Sequence, residues 1–127
     1  MLQKITQKLR NRKGFTLIEL IVVVAIIAIL IALIVPNVMR FIDTSAQTTA
    51  DANAKNIYVA AQTYITDQYA SGAAIDLSDK SVLEPYVADP AMLDGATVTY
   101  SAGSGTTEAT LSVTWTDGNK TGTYPTT

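Results

Sequence analysis

Cysteine and histidine are both absent from the 127 residues of this chain. Without cysteine there is neither a disulfide staple nor a thiol nucleophile, and without histidine the usual general base and a common zinc ligand are missing. Zinc sites and Cys or Ser-His nucleophilic catalysis therefore lose their usual residues. An exported domain of this composition must be held together by packing alone or by its neighbours.

Positive charge is scarce after residue 13. Residues 1–13 carry five basic side chains and no acidic one, whereas the remainder carries four basic side chains against all eleven acidic ones. Positive charge beside a hydrophobic span marks the cytoplasmic side of a membrane, so the acidic remainder is expected outside it. The acidic balance gives no electrostatic reason to expect nucleic-acid binding.

Charge is almost missing from residues 15–35. Glu19 is the one charged residue among these 21, and sixteen of them are Phe, Leu, Ile or Val. As a helix, the segment would reach roughly 31 Å, about the thickness of the hydrocarbon core of a bilayer. Its apolar side chains favour insertion by roughly 5–10 kcal/mol, against a cost of at most about 3.5 kcal/mol for one acidic residue. Membrane insertion therefore does not explain why Glu19 is there.

The segment Lys13-Gly14-Phe15-Thr16-Leu17-Ile18-Glu19-Leu20 resembles the N-terminus of type IV pilins and of type II secretion pseudopilins. The resemblance implies that a prepilin peptidase removes residues 1–14 by cleaving between Gly14 and Phe15. It also implies that the new amine of Phe15 is methylated, and that Glu19 forms an assembly salt bridge with the Phe15 amine of a neighbouring subunit.

Pro36 is expected to end the membrane span and to begin the second half of the same helix. A proline inside a helix removes one hydrogen bond and usually kinks the helix, and Pro36 lies where the resembling family has its kinking proline. Ala28 stands where many type IV pilins have a glycine. The sequence therefore does not decide whether the helix unwinds between Ala28 and Pro36 in a fibre. The next stop signal, Ser71-Gly72, predicts a helix of about 55 residues in total.

The pattern of residues after Pro36 predicts a small antiparallel sheet that packs on the second half of this helix. Residues 37–70 form an amphipathic helix, residues 71–95 a variable connector with a short capped turn ending before Pro85, and residues 96–124 three strands. Residues at helical spacing form one face of the helix, namely Ala54, Ile57, Ala61, Tyr64, Ile65 and Gln68. The part of the helix on which the sheet most simply packs consists of Ile57, Tyr58, Ala61, Tyr64 and Ile65. The sheet face that should meet the helix, with Trp115 as a core residue, consists of Val98, Tyr100, Leu111, Val113 and Trp115.

The sequence is therefore interpreted as an α+β protein of the pilin-like lollipop type, with a leader (1–14), a transmembrane and polymerisation helix (15–36) and a head (37–127). The resemblance implies a structural subunit of a type IV pilus, with no catalytic, cofactor-binding or metal-binding residues. It would be anchored in the cytoplasmic membrane with its N-terminus in the cytoplasm, and then assembled into an extracellular homopolymer. The partners implied are a prepilin peptidase, an inner-membrane platform protein and an assembly ATPase.

Two alternatives stay open at this stage. The first is a pseudopilin of a type II secretion or competence system, which the absence of a paired-cysteine loop leaves plausible. The second, from a different class, is a monomeric signal-anchored domain that binds something outside the cell.

Overall fold

The structure is a computed structural model that describes Gly14 and residues 16–126. Residues 1–13, Phe15 and Thr127 lie outside the described part. One long helix, α1, spans Leu17–Ser71, and two short 3-10 helices follow it at Lys80–Tyr86 and Pro90–Leu93. Three strands complete the chain: β1 (Ala96–Ser101), β2 (Thr110–Asp117) and β3 (Lys120–Tyr124). The predicted α+β class is confirmed.

The chain divides into two compact units, with the boundary after Phe41. The described part of the first unit is the beginning of α1. Every large apolar side chain from Leu17 to Phe41 is between 46% and 76% exposed. An apolar surface of this extent is not stable against water, so lipid or another protein chain must cover it.

A glycine ends α1 at the predicted place. Gly72 has a φ of +71°, a left-handed conformation that glycine adopts without steric cost. Its N–H donates to the carbonyl of Tyr69 at 3.3 Å, and the N–H of Ala73 donates to the carbonyl of Gln68 at 3.0 Å. This pair of bonds is the Schellman arrangement, which satisfies carbonyls that the last helical turn leaves open.

The second unit has its core between α1 and an antiparallel sheet of strand order β1-β2-β3. In the register, Val98 of β1 lies opposite Val113 of β2, which in turn lies opposite Tyr124 of β3. The helix face predicted from residue spacing is largely confirmed, although Ile65 and Gln68 are only half-buried. The buried members of the cluster are Ala54, Ile57, Ala61, Tyr64, Leu77, Leu83, Leu93, Ala96 and Val113.

Trp115 packs against this core as predicted, but it is only half-buried. Its indole N–H donates to the carbonyl oxygen of Met92 at 2.8 Å. The sheet is thereby joined to the second 3-10 helix, and the polar end of the indole has a partner.

The connector differs from the prediction in one respect. The first 3-10 helix does not end before Pro85 but continues through it to Tyr86. Proline fixes φ near −65°, which lies within the 3-10 range, and its missing N–H removes only one i→i−3 bond. Asp79 caps the start of this helix by accepting from the N–H of Ser81 at 2.9 Å.

Strand β3 lies very close to α1. Gly122 is buried, and a Cβ added to it would overlap the main chain of Ala50 and Asp51. Beside this contact, Lys120 Nζ pairs with Asp43 Oδ1 at 2.6 Å. A glycine facing an alanine therefore lets a strand and a helix approach almost backbone to backbone.

Candidate processing and assembly site

Helix α1 starts with a reciprocal pair of hydrogen bonds between Thr16 and Glu19. The N–H of Thr16 donates to Glu19 Oε2 at 2.9 Å, and the N–H of Glu19 donates to Thr16 Oγ1 at 3.3 Å. This is a capping box, in which two N–H groups that the first helical turn leaves open are satisfied by side chains. Thr16 is thus the residue that holds the Glu19 carboxylate at the helix N-terminus.

This position suits a carboxylate, because the N-terminus of a helix carries partial positive charge. Only one carboxylate oxygen, Oε2, is engaged, and among the described residues no hydrogen bond reaches Oε1. The carboxylate therefore has one hydrogen-bond partner among the described residues and the capacity to accept a second bond.

Sequence reasoning missed the role of Thr16, although the signal was present. Thr-x-x-Glu directly before an apolar helical run is the pattern of a capping box. The spacing from Thr16 to Glu19 fits it. The charge of Glu19 by itself does not point to Thr16.

Gly14 lies just before this helix start. It is exposed, and a Cβ placed on it would have no heavy atom of the other described residues within 4 Å. None of those residues obstructs the backbone at Gly14. Phe15, the residue expected to carry the new amine, lies outside the described residues, as does the basic leader 1–13.

Pro36 lies inside α1, which continues on both sides of it. Proline has no N–H, so the carbonyl of Ala32 loses its usual i→i−4 donor. One residue later, the side-chain amide of Asn37 donates to the carbonyl of Leu33 at 3.0 Å. This bond goes to the neighbouring carbonyl and leaves the carbonyl of Ala32 without its helical donor. Asn37 is a second residue that sequence reasoning did not single out.

The described residues contain one helix, α1, that is long and apolar enough to cross a membrane. In the same part of the chain, no group of three or more Asp or Glu side chains lies together in a way that could hold a metal ion. The chemistry available at the start of α1 is therefore a carboxylate, an accessible glycine and an apolar surface.

Comparison with known proteins adds a family to this description. Residues 9–35 match the family described as the prokaryotic N-terminal methylation motif. The chain is 48% identical over 59 residues to the type IV major pilin protein PilA of Myxococcus xanthus. These 59 residues are 46% of this chain and 26% of that protein. It is 46% identical over 61 residues to the type II secretion system core protein G of Pseudomonas aeruginosa, covering 48% of this chain and 43% of that protein.

A third relative is the type IV wide pilus major component PilA4 of Thermus thermophilus, 64% identical over 31 residues, which are 24% of each chain. The matches thus span less than half of the relatives' own length. No solved structure matches the chain significantly. The chain therefore carries the prokaryotic N-terminal methylation motif at residues 9–35, and over 24–48% of its length it is similar to two type IV pilus components and to a type II secretion core protein.

Proposed function

We propose that the chain is a structural subunit of an extracellular type IV pilus, made as a membrane-anchored precursor. The observation that carries this proposal is the uncovered apolar surface of residues 17–41, which has a single carboxylate at its start. A permanent lipid anchor does not require Glu19, because insertion is favourable without it. A surface that is covered first by lipid and later by other copies of the chain requires both the apolar side chains and a carboxylate that can pair.

The first step of the proposal is processing. A prepilin peptidase removes residues 1–14 and methylates the amine of Phe15. Support comes from the methylation-motif match at residues 9–35 and from the exposed, unobstructed backbone at Gly14. A side chain at this position would stand between the peptidase and the bond to be cut.

The second step is pairing of Glu19 with the Phe15 amine of a neighbouring copy. The capping box supports this step, because the N–H that holds Glu19 Oε2 belongs to Thr16, the residue directly after Phe15. The carboxylate therefore already lies at the end of the helix where cleavage would create the amine. A charge buried in a fibre is costly unless it is paired, so a misplaced copy would be rejected and the pairing would set the register.

The third step is the change of environment. The precursor would span the cytoplasmic membrane with residues 15–36 and with its basic leader in the cytoplasm. The head, residues 37–127, would stay outside and later form the filament surface. Growth would require the peptidase, an inner-membrane platform protein and an assembly ATPase as partners. The protein itself would catalyse no reaction, and Pro36 would kink the helix between the two segments.

A second candidate function is that of a pseudopilin in a secretion or competence system. It is favoured by the match to the type II secretion core protein G, whose identity of 46% is almost that of the PilA match. The same processing and helix packing would then serve a short filament that stays within the cell envelope.

Mass spectrometry of the protein isolated from its native cells tests the processing step. The expected N-terminus is an N-methylated Phe15, whereas an intact Met1 would refute the proposal and favour a monomeric signal-anchored domain. Electron microscopy of filaments sheared from the cell surface then separates the two family functions. Surface filaments that contain the chain are expected; a processed chain found only in the envelope, with protein secretion lost on deletion, would favour the pseudopilin.

A further inference from the structure

Arg40 places a positive charge on the apolar first part of α1, and none of the steps proposed above uses it. It belongs to the first unit and lies five residues after Val35, where the apolar run ends. Between Glu19 and Arg40 the chain has no charged residue. Because an arginine stays charged, its side chain requires water or an anionic partner around it.

The described residues give Arg40 no such partner. Its side chain is exposed, and no ion pair or hydrogen bond joins it to another residue within the described part of the chain. Asp43, the acidic residue nearest to it in sequence, pairs instead with Lys120 at 2.6 Å within the second unit. The guanidinium therefore has its N–H donors free for a group that the described residues do not supply.

The residues next to Arg40 are apolar and exposed. Val38 is 46% exposed, Met39 64% and Phe41 73%. Such side chains are better placed against lipid than in water, whereas a guanidinium is costly in hydrocarbon. Both requirements are met at the boundary between the hydrocarbon and the headgroups, where an arginine lays its apolar stem along the lipid and keeps its charged end among polar groups.

The position of Arg40 along the helix leads to the same boundary. A helix of residues 15–35 has about the length of the hydrocarbon core, and five further residues add roughly 7.5 Å. The headgroup layer on each side of a bilayer is about 5–7 Å thick. Helical side chains lean toward the N-terminus of their helix, which brings the guanidinium of Arg40 back into this layer. The anionic group of phospholipids in this layer is the phosphate.

We propose that Arg40 binds the phosphate of a phospholipid headgroup while the chain is anchored in the membrane. The planar guanidinium can donate two parallel N–H bonds to two oxygens of one phosphate, a pairing that an ammonium group cannot reproduce. The proposal rests on the membrane-anchored state of the proposed precursor, and not on its cleavage or on filament growth.

Solid-state NMR on the full chain in vesicles of phosphatidylglycerol tests the proposal. Arg10 and Arg12 are first replaced by lysine, which leaves the net charge unchanged and makes Arg40 the single arginine of the chain. The chain carries ¹³C at the arginine Cζ, and the buffer contains no phosphate, so that every phosphorus nucleus belongs to a lipid. Dephasing of the Arg40 signal by ³¹P is expected to give a carbon–phosphorus distance of about 4–5 Å, as direct N–H···O bonds require.

A chain with its arginine moved is the matched control. Arg40→Gln is combined with Asn56→Arg, which keeps the net charge and puts the arginine at an exposed position 16 residues further along α1. No dephasing by ³¹P is expected in this chain. Equal dephasing in the two chains would overturn the proposal, because contact with phosphate would then not depend on the position of the arginine.

Flotation of the same vesicles separates a failure of this inference from a failure of the proposed function. A chain that floats with the vesicles but shows no dephasing at Arg40 would overturn the phosphate contact alone. If a ¹³C–¹³C contact then joined Arg40 to a carboxylate, a second copy of the chain would be its partner. A chain that does not float with the vesicles would refute the membrane anchor, and this inference with it.

Discussion

Replacement of Gly122 by alanine is expected to destabilise the second unit far more than an ordinary glycine substitution. Gly122 is buried on β3, opposite Trp115 in the register, and its α-carbon faces the main chain of Ala50 and Asp51 in α1. Main-chain atoms of a helix cannot rotate away as a side chain can. The added methyl group therefore forces β3 and α1 apart, and the packing around them is lost.

The expected magnitude follows from the kind of contact. An extra methyl group in a packed core usually costs about 1–3 kcal/mol. Because the methyl group added at Gly122 overlaps main-chain atoms and not a flexible side chain, we expect the free energy of unfolding to fall by about 3 kcal/mol or more. Residues 42–127 form a unit of the size for which 1 kcal/mol shifts Tm by about 4–8 °C, so Tm should fall by about 12 °C or more.

Thermal unfolding of the full chain, followed by the fluorescence of Trp115, measures this loss. Trp115 is the single tryptophan and packs against the core of the second unit, so its signal is not dominated by the long helix. Gly118→Ala is the control, since Gly118 has a φ of +52° and open space around it, so that only backbone strain of about 1–2 kcal/mol is added. A Gly122→Ala variant whose Tm falls no further than that of Gly118→Ala would refute the reasoning.

Three further predictions follow from the site and from the connector. Gly14→Val is expected to block leader removal, and mature protein at normal levels on a denaturing gel would contradict this. Glu19→Val is expected to leave membrane insertion unchanged and to lower the yield of sheared filaments, whereas Glu84→Val in the head should leave both unchanged; wild-type filament yield in Glu19→Val would count against the pairing. Hydrogen bonds from Ser78 lower the pKa of Asp76 below its ordinary value of 3.8. The stabilisation from this carboxylate is thus complete above about pH 3.8 and is lost as the pH falls through its folded-state pKa. The difference in urea midpoint between the unchanged chain and Asp76→Asn should therefore narrow from pH 7 to pH 3, and a constant difference would contradict this.

The elements of the fold were predictable because their signals are local. The stop at Gly72 and the hairpin turn at Asp117-Gly118-Asn119 each need a glycine in the left-handed region, and both glycines have it. The sheet begins at Ala96 and ends at Tyr124, the predicted bounds of the three strands. The first 3-10 helix was misjudged because proline was treated as a stop, although the 3-10 geometry accepts its φ.

The candidate site was predictable to a smaller extent. The position of Glu19 and the accessible glycine before it follow from the order of residues alone. The partner of the carboxylate, Thr16, was within reach of a known spacing but was not recognised. The amide of Asn37, which donates to the carbonyl of Leu33 next to the gap left by Pro36, has no simple sequence signal, because asparagine in a helix usually points to solvent.

By itself, the sequence determined the part of this protein that acts through composition and short spacing. An apolar run, a basic N-terminal segment and a glutamate five residues after a glycine support the same predictions whatever the sequence of the rest of the chain. The tertiary structure alone decided which glycine must remain a glycine and which carbonyl the indole of Trp115 meets. Gly122 meets Ala50 across 72 residues of sequence, and Trp115 donates to Met92 through the packing of the sheet on the second 3-10 helix. Such contacts depend on the sum of many weak side-chain interactions, and no short pattern in the sequence records that sum.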